Sequence, residues 1–217
     1  MAEKRISFHG YGPGKAPLEE PQSGEPHTIF LLSPANLAGA RGKRLLQASS
    51  RLELSLSLRL QSSQATIGEV FSFVSGLYFR GKLAYAWQFA RPPVGISGVR
   101  IITSSSGLLP PDYVASLDWL RATTKSSIDP DNPQYRDPLV RDAQLICTSL
   151  PQGARVVLLG SIATPKYVAP LLEVFGPRMF YPLDFAGRGD MSRGSLLLRC
   201  TRENRELSYA VLGPVPR

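Results

Sequence analysis

The sequence has few of the side chains that carry nucleophilic catalysis and metal binding in most proteins. It contains two histidines, His9 and His27, and two cysteines, Cys147 and Cys200. Both histidines fall in a segment that we expect to lie outside the folded domain, which argues against Ser/His or Cys/His catalysis and histidine-ligated metal. Two cysteines in apolar surroundings are typical of free, buried thiols in a reducing compartment. We therefore expect no metal site and no cofactor.

Long hydrophobic runs are also missing. No apolar stretch approaches the roughly 18 residues that a membrane-spanning helix needs, and no apolar segment follows the first charges as in a signal peptide. These features predict a soluble, cytoplasmic protein with no membrane partner. Residues 1–27 are rich in glycine, proline and glutamate and poor in large aliphatic side chains, which predicts a disordered tail. The remaining residues, 28–217, suit a single domain.

Acidic residues are scarce in one part of the chain. The net charge is +8, and residues 41–100 contain nine basic residues against Glu53 and Glu69 alone. A positive region of this kind favours polyanions such as nucleic acid or phosphorylated ligands. The alternative is that the charge serves solubility only.

Short aliphatic runs alternate with segments of helical pattern. The apolar runs at residues 28–32, 99–102, 155–159 and 178–181 predict strands, and the segments 138–150 and 166–174 predict helices. Alternation of this kind indicates an α/β domain with a largely parallel central sheet flanked by helices. Residues 196–200 and 207–212 are interpreted as antiparallel strands that close the sheet. Residues 123–138 are interpreted as a polar connection.

Two segments have mixed signals. Leucine at every second position over residues 52–60 fits a strand, but a capping box at Ser50 and Glu53 and the helix propensity of leucine favour a helix, which we predict. Residues 68–90 predict a short helix, a turn at Ser75-Gly76, a break near Gly81 and a second helix. Aromatic and basic residues interleave in this segment at Phe79, Arg80, Lys82 and Tyr85, a pattern that suits stacking or phosphate contact and also suits core packing.

Residues 155–170 contain a complete strand, turn and helix start. Gly160 and Ser161 turn the chain, Thr164 is placed to cap the helix, and Pro165 occupies its first position. Such a junction presents free N–H groups to one crevice and suits an anion or polar ligand. An ordinary strand-to-helix junction without a ligand is an equally good interpretation.

Polar side chains also follow the other predicted strands. If the sheet is parallel, they line the same crevice, since parallel strands end at one edge. With no histidine available, Asp190 or Lys166 would serve as the acid or base, although Asp190 between two arginines is more often a structural ion pair. Within residues 155–170, the candidates for nucleic-acid or anion binding are Ser161 and Thr164. The candidates elsewhere in the chain are Ser33, Asn36, Arg80, Lys82, Ser104, Ser106, Arg188, Ser192 and Arg193.

Several of these segments, in the same order, resemble the YaaA family of peroxide-stress proteins. They are Ser33-Pro34-Ala35 (family SPAK), residues 78–83, residues 106–112, the strand with Lys166-Tyr167, and residues 188–193, RGDMSR (family ARGxMSR). Asn36 stands where the family usually has lysine. The resemblance adds Tyr78, in the family's YxGL segment, to the candidate site.

The resemblance implies an α/β fold with a positively charged cleft and a helix-hairpin-helix-like element, here residues 68–90. It also implies binding of double-stranded DNA and protection against oxidative damage linked to iron. The first hypothesis is therefore a DNA-binding protein that contacts phosphates through Arg80, Lys82, Arg188 and Arg193. The second is an enzyme that acts on a nucleotide, nucleobase or other small anionic substrate at the strand ends. A scaffold subunit is the third.

Overall fold

The structure, a computed structural model, describes residues 24–47, 51–163 and 165–213, with the side chains of residues 51–54 excepted. Most of the predicted tail, residues 1–23, lies outside this range. Residues 24–27 do not belong to a disordered tail, because the His27 carbonyl accepts a hydrogen bond from the Arg155 N–H at 2.8 Å. The His27 ring also lies 3.3 Å from the Arg91 carbonyl. One histidine therefore belongs to the folded part.

Six strands form one sheet, and its four central strands are parallel. Two further strands form a small antiparallel pair. The strands are β1 (Thr28–Leu32), β2 (Ala65–Thr66), β3 (Val99–Ile102), β4 (Leu108–Leu109), β5 (Val114–Ala115), β6 (Arg155–Leu159), β7 (Met179–Pro182) and β8 (Tyr209–Val211). The order in the sheet is β4-β3-β1-β6-β7-β8, with β4 and β8 antiparallel to their neighbours at the two edges. The predicted α/β class, the parallel sheet and the antiparallel C-terminal strand β8 are confirmed.

Eight α-helices occur in the described residues, together with two short 3₁₀ turns at Gly176–Arg178 and Leu183–Phe185. None of these helices is long and apolar enough to cross a membrane. The helices are α1 (Ala40–Gln47), α2 (Arg51–Gln61), α3 (Ile67–Ser75), α4 (Leu77–Phe89), α5 (Leu117–Lys125), α6 (Pro133–Ser149), α7 (Pro165–Phe175) and α8 (Asp190–Arg202).

The central strand β1 separates two hydrophobic cores. Phe30 and Leu32 face a core built with α3, α4 and α8, while Ile29 and Leu31 face a second core built with α6 and α7. All four side chains are fully buried. Burial on both faces explains why this strand is continuously apolar rather than alternating.

Helices α4 and α8 pack closely because each has a glycine at the contact. A Cβ on Gly81 would lie 2.7 Å from the Gly194 carbonyl oxygen, and a Cβ on Gly194 would lie 2.8 Å from the Tyr78 Cα. The break predicted near Gly81 is therefore wrong. Gly81 lies inside a continuous helix, where its missing side chain admits the neighbouring backbone.

Two other predictions are corrected by the structure. Residues 196–200 are not a strand but part of α8, because the buried Leu196, Leu197 and Cys200 have helical spacing on one face. The connection predicted over residues 123–138 is shorter, since α5 extends to Lys125 and α6 begins at Pro133, where the Asn132 side chain caps it. The helix predicted over 52–60 is confirmed as α2, although Ser50 and the Glu53 side chain of its predicted capping box lie outside the described part.

Candidate functional site

A crevice of about 250 Å³ lies where β1 and β6 end. Ser33 and Ser161 follow those strands into its floor, and the first turns of α4, α7 and α8 border it. The crevice thus lies at the carboxyl ends of parallel strands, where α/β proteins generally bind their ligands. Its lining is Ser33, Pro34, Ala35, Asn36, Val74, Ser75, Tyr78, Ser161, Tyr167 and Asp190.

The close packing of α4 and α8 places two of these residues side by side. Tyr78 in α4 contacts Gly194 in α8, and the other ends of the two helices meet where Gln88 donates a hydrogen bond to Asn204 at 2.6 Å. The helices therefore run in the same direction, and both begin at the crevice. Asp190, the first residue of α8, enters the crevice beside Tyr78.

The backbone at Ser33 is held by its neighbours. Its N–H donates to the Leu159 carbonyl at 3.1 Å, which extends the pairing of β1 with β6 by one bond. Gly160 leaves the space that the serine side chain needs, since a Cβ at that position would lie 2.8 Å from the Ser33 Cβ. Ser33 consequently has a defined position at the floor of the crevice.

The hydroxyl of Tyr78 is a buried polar group without a hydrogen bond of ordinary geometry to the described residues, although Arg193 lies close enough to lower its pKa. The residue is only 6% exposed and lines the crevice. Burial raises the pKa of Tyr78 to about 12, and the negative charge of Asp190 acts in the same direction, against Arg193. At neutral pH the side chain is a phenol, which both donates and accepts hydrogen bonds.

Lys82 is buried directly behind the floor of the crevice. It is 1% exposed, and its Nζ contacts the Ser33 carbonyl oxygen at 2.6 Å and the Ser33 Oγ at 2.9 Å. The rings of Tyr78 and Phe79 lie 4.5 and 5.0 Å from Nζ. Burial lowers the pKa of Lys82 from 10.5 to about 7, and the charge of Asp190 opposes that shift. Burial thus favours the neutral amine of Lys82, whereas Asp190 and the two rings favour the ammonium form.

Five of the predicted site residues line the crevice together: Ser33, Asn36, Tyr78, Ser161 and Asp190. The Asp190 side chain is 70% exposed and lies 3.6 Å from Arg193, so the ion pair anticipated for it is present but long. Lys166 is exposed in the first turn of α7 and is not among the lining residues. Thr164 lies outside the described residues, whereas Pro165 does begin α7 as predicted.

The two serines after β3 do not reach the crevice. Ser104 is buried and donates to the Thr123 carbonyl at 3.0 Å, and the Ser106 Oγ accepts a hydrogen bond from the Trp119 Nε1 at 3.2 Å. Both hydroxyls attach the loop after β3 to α5. Their role in the structure is to hold this loop.

The predicted basic residues are dispersed. Lys82 is buried, and Arg193, with a side chain only 11% exposed, donates from Nε and Nη2 to the Phe185 carbonyl at 3.2 and 3.0 Å. Arg188 is exposed and donates to the Ser192 Oγ, while Arg80 is exposed and donates to the Gly76 carbonyl. Of the four cations predicted to contact phosphates, only Arg80 and Arg188 are accessible.

Sequence reasoning missed two features of the site. Three of the lining residues were not proposed individually from the sequence, namely Val74, Ser75 and Tyr167. Of these, only Tyr167 had a sequence signal, because it is the neighbour of Lys166 in the family-like segment. The contact between Ser33 and Lys82 joins residues 49 positions apart. No local pattern reveals such a contact.

The described residues contain no group of three histidine, cysteine, aspartate or glutamate side chains placed to hold a metal ion. No family model, curated protein or solved structure matches the chain. The relation to the YaaA family therefore stays a prediction from the motifs quoted above.

Proposed function

We propose that the protein is an enzyme that binds a nucleobase, as part of a nucleoside or nucleotide, in the crevice at the ends of β1 and β6. The observation that carries this proposal is Tyr78, which lines the crevice and whose buried hydroxyl makes no hydrogen bond of ordinary geometry within the described residues, although it lies close to Arg193. Leaving such a group unsatisfied costs about 1–3 kcal/mol. A ligand that hydrogen-bonds to it recovers that free energy on binding.

The lining favours a flat, polar heterocycle. Tyr167, which is partly exposed, supplies an aromatic side chain of the kind on which bases stack. Asn36 both donates and accepts hydrogen bonds, whereas the Asp190 carboxylate accepts them, so the two suit the mixed edge of a nucleobase. The first turns of α7 and α8 offer N–H groups for an attached phosphate.

The volume of the crevice limits the size of the ligand. At about 250 Å³ it lies just below the range of roughly 300–1,000 Å³ that is typical of pockets for drug-sized ligands. It suits a single base with part of its sugar rather than a dinucleotide.

The test is isothermal titration calorimetry with a panel of free nucleobases, nucleosides and nucleoside monophosphates. The Tyr78→Phe variant removes only the hydroxyl and is expected to weaken binding of the best ligand by about 5- to 30-fold, which corresponds to roughly 1–2 kcal/mol. Tyr113→Phe, which changes a half-exposed tyrosine outside the crevice, is the matched control and is expected to bind like the parent protein. Absence of binding across the panel, or equal affinity of the two variants, contradicts the proposal.

Binding of double-stranded DNA is the second candidate, and the cations beside Gly76 favour it. A guanidinium nitrogen of Arg41 lies 2.7 Å from the position that a Cβ on Gly76 would take, and Arg80 donates to the carbonyl of the same glycine at 3.3 Å. Both arginines are exposed, and the preceding residue, Ser75, lines the crevice. Positive charge is thus concentrated at the rim of the crevice.

Fluorescence anisotropy with a labelled random-sequence duplex tests this candidate. The logarithm of the affinity is expected to fall linearly with the logarithm of the salt concentration. The double variant Arg41→Ala/Arg80→Ala is expected to bind more weakly with a shallower salt slope. The control Arg121→Ala/Arg141→Ala removes two exposed arginines from α5 and α6 and is expected to keep the slope. Equal slopes for the two double variants, or no complex at low salt, would rule out this binding surface.

A further inference from the structure

Lys82 lacks the partner that buried lysines usually have. None of the ion pairs within the described part of the chain includes it, and its hydrogen bonds go to Ser33 alone. A charged ammonium in this position is unfavourable because burial removes its hydration. The neutral amine is therefore an accessible state of Lys82, in agreement with its lowered pKa.

The two contacts to Ser33 fit a neutral amine well. Nζ donates to the Ser33 carbonyl oxygen at 2.6 Å and to the Ser33 Oγ at 2.9 Å. When the amine is neutral, the second contact can reverse, so that the Ser33 hydroxyl donates to the nitrogen lone pair. A hydroxyl that donates to an amine lone pair is an activated nucleophile with its base in place. The rings of Tyr78 and Phe79, at 4.5 and 5.0 Å from Nζ, form cation–π contacts that favour the ammonium form and so oppose the effect of burial.

Ser33 is placed to meet a ligand. It lines the crevice, while Lys82 lies behind it and is shielded from solvent. The Asn36 carboxamide lines the same crevice and supplies a donor for a developing negative charge on a substrate oxygen. Nucleophile, base and donor therefore belong to one small site.

We infer that Ser33 is a catalytic nucleophile and Lys82 its general base, and that the crevice carries out acyl transfer on an ester or similarly activated carbonyl. This inference rests on the proposed function in one respect, namely that the same crevice holds the substrate. It adds the reaction class and assigns the two residues that perform the reaction. Asp190, one of the two catalytic candidates named from the sequence, is then a lining residue that tunes Lys82.

The reaction balances with water as the second substrate. The Ser33 Oγ forms a bond to the carbonyl carbon, its proton passes to the Lys82 amine, and the π electrons of the carbonyl move onto oxygen. Collapse of this intermediate breaks the bond to the leaving oxygen, which takes the proton back from Lys82. Water then attacks the acyl-serine, gives one proton to Lys82, and releases the acid as Ser33 recovers its proton.

The groups around Lys82 predict how this chemistry depends on pH. Asp190 in α8 favours the ammonium form, whereas burial favours the amine. Tyr78 in α4 and Tyr167 in α7 have raised pKa values, chiefly through burial, and stay neutral through this range. Lys82 is thus the group that changes protonation near pH 7, and the reactivity of Ser33 is expected to rise as Lys82 loses its proton.

The experiment uses a small alkyl fluorophosphonate, which requires no knowledge of the natural substrate. The Ser33 Oγ displaces fluoride from phosphorus, so the P–F bond breaks, the O–P bond forms and the proton passes to Lys82. Intact-mass spectrometry of the full chain measures the labelling rate from pH 5.5 to 9, and peptide mapping locates the label. We expect one label, on Ser33, with a rate that rises through about pH 7 and then levels off.

Matched variants separate the assigned roles from general effects. Ser33→Ala is expected to abolish labelling, while Ser126→Ala, which removes a hydroxyl at the end of α5 outside the crevice, is expected to label at the parent rate. Lys82→Met keeps the length of the side chain and is expected to slow labelling by about 100-fold or more, as loss of a general base does. Circular dichroism checks that each variant is folded.

The outcomes decide the inference and the proposed function separately. No label on the parent protein, a label on another serine, or a folded Lys82→Met variant with the parent rate overturns the inference. Should Lys82→Met fail to fold, a flat pH profile of the parent protein overturns it instead. Labelling of Ser33 without nucleobase binding supports the inference and contradicts the proposed ligand. Nucleobase binding without labelling of Ser33 supports the proposed ligand and contradicts the inference.

Discussion

Replacing Lys82 by methionine is expected to change how the stability of the protein depends on pH. The lysine has a pKa of about 7 in the folded state, against 10.5 for an unburied side chain. Between these two values the unfolded chain binds a proton that the folded chain does not. The free energy of unfolding therefore rises with pH in this window. The contribution of Lys82 to this free energy is lowest below pH 7.

The magnitude follows from the pKa difference. Within the window, each pH unit changes the free energy of unfolding by about 1.4 kcal/mol. From pH 7.5 to pH 9.0 the parent protein is expected to gain about 2 kcal/mol relative to Lys82→Met, which has no proton to lose at this position. Other groups that titrate in this range are present in both proteins and cancel in the difference.

The assay is urea unfolding followed by circular dichroism at pH 7.5, 8.0, 8.5 and 9.0 for both proteins, with the free energy of unfolding extrapolated to zero urea. Lys166→Met, which alters an exposed lysine in α7, is the control and is expected to follow the parent protein at every pH. The absolute stability of Lys82→Met does not matter, because the prediction concerns the slope. Parallel lines for the parent and Lys82→Met would show that Lys82 is charged in the folded state, and they would refute the reasoning.

Two further predictions concern the elements that border the crevice. Gly194→Ala is expected to destabilise the protein by about 1–3 kcal/mol, because the new methyl group would lie 2.8 Å from the Tyr78 Cα. Gly213→Ala, whose methyl group would meet nothing within 4 Å, is expected to be nearly neutral, and urea unfolding measures both variants. Equal stabilities of the two glycine variants would contradict the close packing of α4 and α8. Thr66→Ala is expected to cost about 1 kcal/mol of stability by removing the capping box with Glu69 at the start of α3, and Thr66→Ser is expected to restore most of it, as seen in thermal unfolding. A Ser variant no more stable than the Ala variant would show that the hydroxyl is not the stabilising group.

The strand predictions succeeded where the sequence signal was local and strong. Residues 28–32, 99–102 and 155–159 are short apolar runs flanked by turn-forming residues, and all three are strands of the parallel sheet. Buried parallel strands need apolar side chains on both faces, so their pattern is unambiguous in a chain of this composition. The start of α7 at Pro165 was predictable for a similar reason, since proline suits the first turn of a helix.

The failures share a physical cause. Gly81 marks a helix break when considered alone, but it lies inside α4 because Gly194 of a distant segment packs against it. Residues 196–200 have the composition of a strand, and only the packing of α8 on α4 determines their helical conformation. Secondary structure at such positions is selected by tertiary contacts, which a local pattern does not contain.

The candidate site was also predictable only in part. Ser33, Asn36, Ser161 and Asp190 could be named in advance, because a parallel sheet places residues after its strands at one edge, and the family-like motif supplied Tyr78. Accessibility was not predictable: Lys82 and Arg80 are two positions apart in α4, yet one is buried against Ser33 and the other is exposed. The orientation of a helix relative to the sheet decides which of its residues meets solvent.

Local sequence patterns were sufficient to predict the α/β class, the parallel strands and the edge of the sheet at which polar residues gather, because these depend on hydrophobic pattern and turn chemistry within short segments. The contact of Lys82 with Ser33 across 49 positions of the chain, and the burial of the Tyr78 hydroxyl without a hydrogen bond of ordinary geometry to the described residues, depend on tertiary packing. Both facts arise from the packing of α4 between β1 and α8. Because of that packing, Lys82, which was predicted to contact phosphate, is buried beside Ser33.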